Sequence, residues 1–414
     1  MRRHRSIRES AWVAEVEREV ADGWASDEEY ARWRYQCIYP VPACIKDLNP
    51  RAYRPQVVSL GPFHHGEPHL RPMDAHKRRS LVQFLRRARR PLEDFVAAVA
   101  EAGGLKDSYQ GLGNEWRIHG GEESYSHDDP VFGDHGLLYT VPYIRRDMLM
   151  IENQLPLLVL ERLLAVESGK NGNDDLINQL VLKFLSPTSS PLANGVGLAL
   201  HPLDVLRRSL LHVPRPAGPR APPDASIPTD DDVVIRSAEE LYEAGVRFKR
   251  SATSSLLDIR FDDGTGTLYL PSIEVDDTTE YMLLNLMPFE RLHVGAGNDV
   301  TAYVFFMDNM VESARDVALL TSPRIVLNSL GSDEAVAKLF NGLSRDVALE
   351  TQSALNHVHQ EVDAYCRKRW NQWRANLVHT YFRSPWSFLS LTATVFLLVL
   401  TITQTVYTIL QYYR

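Results

Sequence analysis

Residues 385–413 read PWSFLSLTATVFLLVLTITQTVYTILQYY, without one Asp, Glu, Lys or Arg. As an α-helix rising about 1.5 Å per residue, Trp386 to Ile409 covers roughly 36 Å, more than the ~30 Å hydrocarbon core of a bilayer. The segment is therefore long enough to cross with a modest tilt. Trp386 and Phe388 at one end and Tyr407, Tyr412 and Tyr413 at the other stand where amphipathic rings prefer the headgroup level, with Leu397 and Leu400 between them. A buried core helix is the competing reading, which the threonines and Gln404 make conceivable. Core helices seldom run this far without a charge, so residues 384–414 are read as a transmembrane anchor that partners membrane lipid.

Working outward, Arg367, Lys368, Arg369, Arg374 and Arg383 precede the segment and only Arg414 follows it. The positive-inside bias then places the body in the cytosol, on a single-pass protein expected at the plasma membrane rather than the endoplasmic reticulum. The opening MRRHRSIRESAWVAEVEREV is basic but carries Glu9, Glu15, Glu17, Arg18 and Glu19 where a secretory signal needs an apolar run. Cys37, Cys44 and Cys366 are too few and too scattered for a disulfide framework. With 44% hydrophobic and 24% charged residues the body is globular, and a net charge of −8 argues against a nucleic-acid partner.

The pattern over the rest predicts a mainly α, two-lobed body with one small β-hairpin. Residues 1–34 read as a polar helical lead-in and 35–211 as a helical first lobe. The proline-dense run CIYPVPACIKDLNPRAYRPQVVSLGPFHHGEPHLRPM gives way there to a helix that Asp74 is placed to cap, with Leu81, Phe84, Leu85 and Ala88 as its apolar stripe. Residues 101–136 are a Gly-, Glu- and Ser-rich loop insertion, and Pro156 opens a second helical stretch. Residues 212–232, HVPRPAGPRAPPDASIPTDDD, form a Pro-rich linker.

The second lobe, 233–383, starts with RSAEELYEAGVRFKR as a helix, and LLDIRF and TLYLPSIEV around DDGTG supply the hairpin near 256–275. Further helices follow in TTEYMLLNLMPFERL and TAYVFFMDNMV, after Ser313 with Asp316 as a capping box, and from Ser332. A last long helix aligns Cys366, Trp370, Trp373, Leu377 and Tyr381 on one face leading into the anchor.

Several of these stretches, in order, resemble the plant family called domain of unknown function 247: IYPVPACIKDLNPRAYRPQVVSLGPFHHG, PMDAHKRR, DMLMIENQLPLLVLERL, RSAEELYEAGVRFKR, LLDIRF, YVFFMDNMV and the terminal anchor. Together they cover nearly all of residues 37–414. The resemblance implies a helical, membrane-anchored plant protein without an established biochemical activity. Some grass members are implicated as pollen-side determinants of self-incompatibility, which implies a recognition role for part of the family.

Each residue that could carry chemistry also has a plainer role open to it. His64, His65, His69 and His76 with Glu67 and Asp74 offer imidazole and carboxylate, but Pro62, Pro68 and Pro72 interrupt the run and no tetrahedral spacing matches, so no metal or other cofactor is expected. Asp147, Glu152 and Asn153 could act as acid/base groups, but with Arg145 and Arg146 beside them an internal polar network is the plainer reading, as for Asp308 and Asn309. Lys77, Arg78, Arg79, Arg86, Arg87, Arg89 and Arg90 line a basic helix. Lys77, Arg78, Arg79, Arg86 and Arg87 are candidates for contact with an anionic surface, against the alternatives of a solvated face or a nuclear import signal.

No nucleophile elbow, phosphate loop or dinucleotide fingerprint occurs. The expected role is a tethered, non-enzymatic recognition or signalling protein that binds an unidentified protein partner. An enzyme with an unfamiliar helical site and a structural membrane scaffold are the alternatives.

Overall fold

A computed structural model describes residue 18 and residues 36–102, 108–109, 138–169, 173–186, 192, 195–212, 236–343, 355–377 and 385–412. The lead-in 1–34 apart from residue 18, most of the insertion 101–136 and residues 213–232 of the linker lie outside them. In chain order the described helices are α1 (Ala43–Lys46), α2 (Arg71–Ala88), α3 (Leu92–Glu101), α4 (Val141–Asp147), α5 (Leu157–Ser168), α6 (Asp174–Leu185), α7 (Pro202–Leu211), α8 (Ala238–Ala244), α9 (Thr279–Leu292), α10 (Asp299–Met310), α11 (Ala314–Thr321), α12 (Asp333–Leu343), α13 (Asn356–Cys366), α14 (Arg369–Leu377) and α15 (Pro385–Tyr412). Five short strands accompany them: β1 (Arg247–Arg250), β2 (Arg260–Asp262), β3 (Thr267–Leu270), β4 (Ile273–Val275) and β5 (Val326–Asn328). The protein is mainly helical. Its backbone contacts define two compact units, Met1–Ser209 with Leu284–Gly297, and Leu210–Leu283 with Asn298–Arg414.

In the first unit, Ile38, Tyr53, Leu70, Met150, Ile151, Leu157, Ile177, Leu203 and Phe289 are almost fully buried. α2 begins at Arg71 with Pro72 in its first turn, where a missing N–H costs nothing. Asp74 is thus inside the helix, paired with Lys77 at 2.9 Å, rather than capping it. The helix buries Met73 and Val82 and leaves Leu81, Phe84, Leu85 and Ala88 half-buried. Phe84 meets Phe95 of α3 edge to face at 5.1 Å. Pro156 stands one residue before α5, which Gly169 ends at φ 65°.

Pro288 inside α9 removes the donor that would reach the carbonyl of Leu284. The Tyr53 hydroxyl donates to that carbonyl instead, at 2.8 Å.

The second unit corrects three local expectations. The run RSAEELYEAGVRFKR is helical only over Ala238–Ala244, because Gly245 at φ 102° ends the turn. The next residues, Arg247–Arg250, become β1, parallel to β3. The paired strands near 256–275, β2 and β3, are not isolated but belong to a sheet ordered β1-β3-β2, and β4 pairs with β5 in a second small sheet. β2 and β3 run antiparallel, with Asp262 opposite Thr267. In the intervening turn the Asp262 carboxylate accepts from Gly264 N–H (3.1 Å) and the Thr265 hydroxyl (2.7 Å). Pro271, with no N–H to offer a ladder, separates β3 from β4.

The long terminal helix also divides, into α13 and α14 at Arg367–Lys368. Cys366 is buried while Trp370 and Trp373 are exposed, so these residues do not share one buried stripe. Other helix starts fall where their caps predict. Ser313 N–H donates to Asp316 Oδ2 at 2.9 Å, and Ser332 Oγ accepts from Ala335 N–H at 3.1 Å. Asp316 Oδ1 also accepts from Glu239 N–H at 2.7 Å, tying the start of α8 to that of α11.

Candidate functional site

The densest polar arrangement lies in the first unit, where DMLMIENQ (147–154) meets the run QVVSLG (56–61), which forms neither helix nor strand. Such a segment must still satisfy its buried backbone donors. Here side chains do so. The Asp147 carboxylate accepts from the N–H groups of Gln56 (3.0 Å), Val57 (2.7 Å) and Val58 (2.9 Å). Asn153 Oδ1 accepts from Leu60 N–H (2.7 Å), and its Nδ2 donates to the carbonyls of Val58 (2.8 Å) and Asp147 (3.0 Å). Gln154 Nε2 donates to the carbonyls of Met148 and Met150, while its Oε1 accepts from Leu203 N–H. Asn285 bridges Ile151 N–H and the Ala52 carbonyl in the same manner.

Gly61 is required where it stands, since a Cβ there would lie 2.7 Å from the Gln154 carbonyl oxygen. Burial pushes the Asp147 carboxyl up despite its three amide donors.

Asp147 is thus hydrogen-bonded by backbone amides, and the charge of Arg146 adds to their hold on its carboxylate. Arg146 itself donates to Gln56 Oε1 at 2.6 Å and lies over the Tyr143 ring. Arg145 lies over the Phe184 ring.

Glu152 centres a second cluster in the same unit. Its side chain is 3% exposed and accepts from Val41 N–H (2.6 Å) and Lys46 Nζ (2.7 Å). His64 Nε2 stands 3.4 Å from its other oxygen, a charge contact without a well-aligned hydrogen bond, while His64 Nδ1 meets Glu67 at 2.7 Å. Burial works against a charged imidazole, but Glu152 and Glu67 outweigh it and hold His64 above the usual histidine range. Burial likewise opposes ionised Glu152, yet His64 and Lys46 bring its carboxyl below the ordinary range.

Of the other histidines, His69 joins this cluster, its Nδ1 3.5 Å from Glu67 Oε2 and its Nε2 2.9 Å from the Pro55 carbonyl oxygen, whereas His65 is exposed and His76 Nδ1 meets Arg79 at 3.2 Å. Among the described residues, no group of three or more His, Cys, Asp or Glu side chains is arranged to hold a metal ion. Lys46, Val41 and Glu67 already engage the Glu152–His64 pair, which makes the arrangement a charge cluster centred on a buried carboxylate.

Sequence reasoning did not single out three positions here. Gln154 and Asn285 are amides serving distant backbone, and Arg207 pairs with Glu290 at 2.8 Å in a buried contact. Their one visible signal is the density of Asp, Glu, Asn and Gln inside an otherwise apolar run. His201 is fully buried: Asp204 N–H donates to its Nδ1 (3.2 Å), which leaves Nε2 to donate to the Cys37 carbonyl (3.0 Å). Burial lowers its pKa to about 4, so it stays neutral. Asn309 turns back to its own helix, donating to the Phe305 carbonyl, and Asp308 is half-buried beside it.

On the basic helix, Arg78, Arg86 and Arg87 are exposed, whereas Lys77 and Arg79 are half-buried. Arg87 pairs with Glu167 at 3.0 Å. In the second unit, a pocket of about 20 Å³ lined by Arg236, Phe306, His359 and Asp363 has room for about one water.

The strongest surface feature is α15. It runs 28 residues, and its window Thr392–Gln411 is long and apolar enough to cross a membrane, with none of it buried. Leu397 is 62% exposed, Leu400 50% and Tyr407 71%. Trp386 and Phe388 fall in its first turn. A solvated helix with this composition would place an unusually large apolar surface in water.

Comparison with known proteins matches residues 38–119 and 112–400 to domain of unknown function 247, described as a plant protein of unknown function. The chain is 29% identical to UPF0481 protein At3g47200 of Arabidopsis thaliana, over 91% of this chain and 87% of that protein. It is 32% identical to Putative UPF0481 protein At3g02645 of the same plant, over 42% of this chain and 33% of that one. No solved structure matches.

Proposed function

This chain belongs to the domain of unknown function 247 family of plant proteins, and on that premise we propose that it is a single-pass membrane protein whose body recognises a protein partner without catalysis. The observation that carries the reading is α15, an apolar helix of spanning length with none of its candidate window buried. In a bilayer the same side chains become the favourable surface, and the helix satisfies its own backbone, as a spanning segment must. The threonines fit this, since Thr394, Thr401, Thr403, Thr405 and Thr408 each donate to a carbonyl four residues back.

The basic residues preceding Trp386 support a cytosolic body, with the plasma membrane as the working location. Within a two-lobed body, partner choice is assigned to the polar stretches 101–136 and 212–232, because loop residues vary without disturbing a core. The buried carboxylates support the non-catalytic reading, since hydrogen bonds and ion pairs that hold the backbone already engage Asp147 and Glu152. A narrower reading places the protein beside the pollen-side self-incompatibility determinants of grasses.

Deleting residues 385–414 should shift the chain from the carbonate-resistant membrane pellet to the supernatant, and retention in the pellet overturns the tether. In sealed vesicles with the cytosolic face outward, added protease should digest the body. Protection until detergent is added would reverse the sidedness. Exchanging 101–136 and 212–232 between two family members should transfer partner capture, and capture that instead follows the helices refutes that assignment.

A further inference from the structure

We infer that α14 is an interfacial foot, laying Trp370 and Trp373 into the headgroup layer of an anionic bilayer beside the point where the chain enters it. The inference rests on the tether proposed above. Trp370 is 78% exposed and Trp373 76% exposed, on a helix whose other side is engaged with the body. Asn371 is buried and donates to the Tyr365 carbonyl at 2.8 Å. The Arg374 guanidinium lies against Gly245, where a Cβ would come within 2.6 Å of it. Trp370 and Trp373 stand three residues apart and so share the outward face.

Three further observations select a lipid surface as the occupant. Indole is the side chain most at home at the membrane interface, where its ring is half apolar and its N–H finds a partner. Four cations, Arg367, Lys368, Arg369 and Arg374, flank the two rings in the sequence, and no Asp or Glu occurs from Ala364 to its last residue. Arg367 and Lys368 are paired with Asp363 (2.7 Å) and Asp263 (2.6 Å), which leaves exposed Arg369 as the nearest cation on the helix for anionic headgroups. Finally, only residues 378–384 separate Leu377 from Pro385. Eight links reach at most about 28 Å fully extended, so once α15 is in a bilayer α14 is held within that distance of its surface.

The test uses the full chain, with exposed Cys44 replaced by Ser, reconstituted into phosphatidylcholine–phosphatidylserine vesicles. Single cysteines introduced as Trp373→Cys and Gln372→Cys place a nitrobenzoxadiazole fluorophore on the outward face and on the other exposed side of the same helix. A nitroxide at the lipid headgroup should quench the 373 probe severalfold more than the 372 probe. A nitroxide deep in the acyl chain should quench both weakly. Equal quenching at the two positions, or none at 373, while the chain stays carbonate-resistant, overturns the foot and leaves the tether standing.

A blue-shifted, unquenched 373 probe means that protein covers the face, which also overturns it. A chain that does not co-float with vesicles overturns the tether, and the foot with it. Trp370→Ser with Trp373→Ser should leave the melting temperature unchanged, and a drop would assign the rings to packing instead.

Discussion

Residues 56–61 run through the first unit with their N–H groups met by Asp147 and Asn153, whereas α14 and α15 hold tryptophan, leucine and valine side chains in the open. Each is the inverse of what its composition favours in isolation. Polar groups are buried in the first, and apolar groups are exposed in the second. Burying Asp147 is tolerable because it replaces a missing strand ladder for three backbone donors. Exposing α15 is tolerable only if its medium is not water. Polar burial here is therefore a folding device, and apolar exposure marks an interface.

The sharpest way to break this contrast is a paired substitution. Asp147→Ala strands three backbone amide donors, of which that of Val58 is fully buried, and should lower stability by roughly 3–5 kcal/mol in urea unfolding of the detergent-solubilised chain. Leu397→Ala on α15 should move the same transition by less than about 0.5 kcal/mol, since Leu397 is exposed among the described residues. Equal effects at the two positions would mean that α15 is a core helix after all.

A smaller effect is expected at Gly61. Its Cβ would press on the Gln154 carbonyl, so Gly61→Ala should cost about 1–3 kcal/mol. Gly342, where an added methyl would meet nothing within 4 Å, should accept Ala at no cost or with a slight gain from helix propensity. A tolerated Gly61→Ala in thermal melts would mean that the turn relaxes and that the network is less rigid than its hydrogen bonds imply.

The smallest effect is in pH. His64 has a folded pKa above its unfolded value near 6.5. Its stabilising contribution is therefore complete below about pH 6.5 and is lost as pH rises through the folded value. Glu152, held low, contributes above the unfolded carboxyl range near 4.3 and loses that contribution as pH falls through its folded pKa. The melting temperature should therefore decline as pH rises above about 6.5, and His64→Gln should flatten that decline. An unchanged slope in the variant would remove His64 as its source.

How much was legible follows from how far each signal reaches along the chain. Ser313 with Asp316 and Ser332 with Ala335 act over three residues, so their helix starts could be read directly. The helix 236–250 was overextended because its apolar spacing continues past Gly245, while β3, some twenty residues on, recruits Arg247–Arg250 as a strand. Likewise the stripe from Cys366 to Tyr381 has helical spacing, but α13 buries its end and α14 turns outward. Asp147 and Glu152 could be named as a polar network, yet their partners at 56–58, 41 and 46 lie some ninety to a hundred and ten positions away.

By itself the sequence determined the helical class, the family and the apolar terminal segment. Each depends on composition or short-range period, which every conformation of the chain carries. Only the tertiary structure decided that Asp147 serves the backbone amides of 56–58, that His64 sits between two carboxylates, and that Trp370 and Trp373 face outward. Those outcomes depend on which distant groups compete for the same buried donor or the same patch of surface, and that competition exists only once the chain has folded.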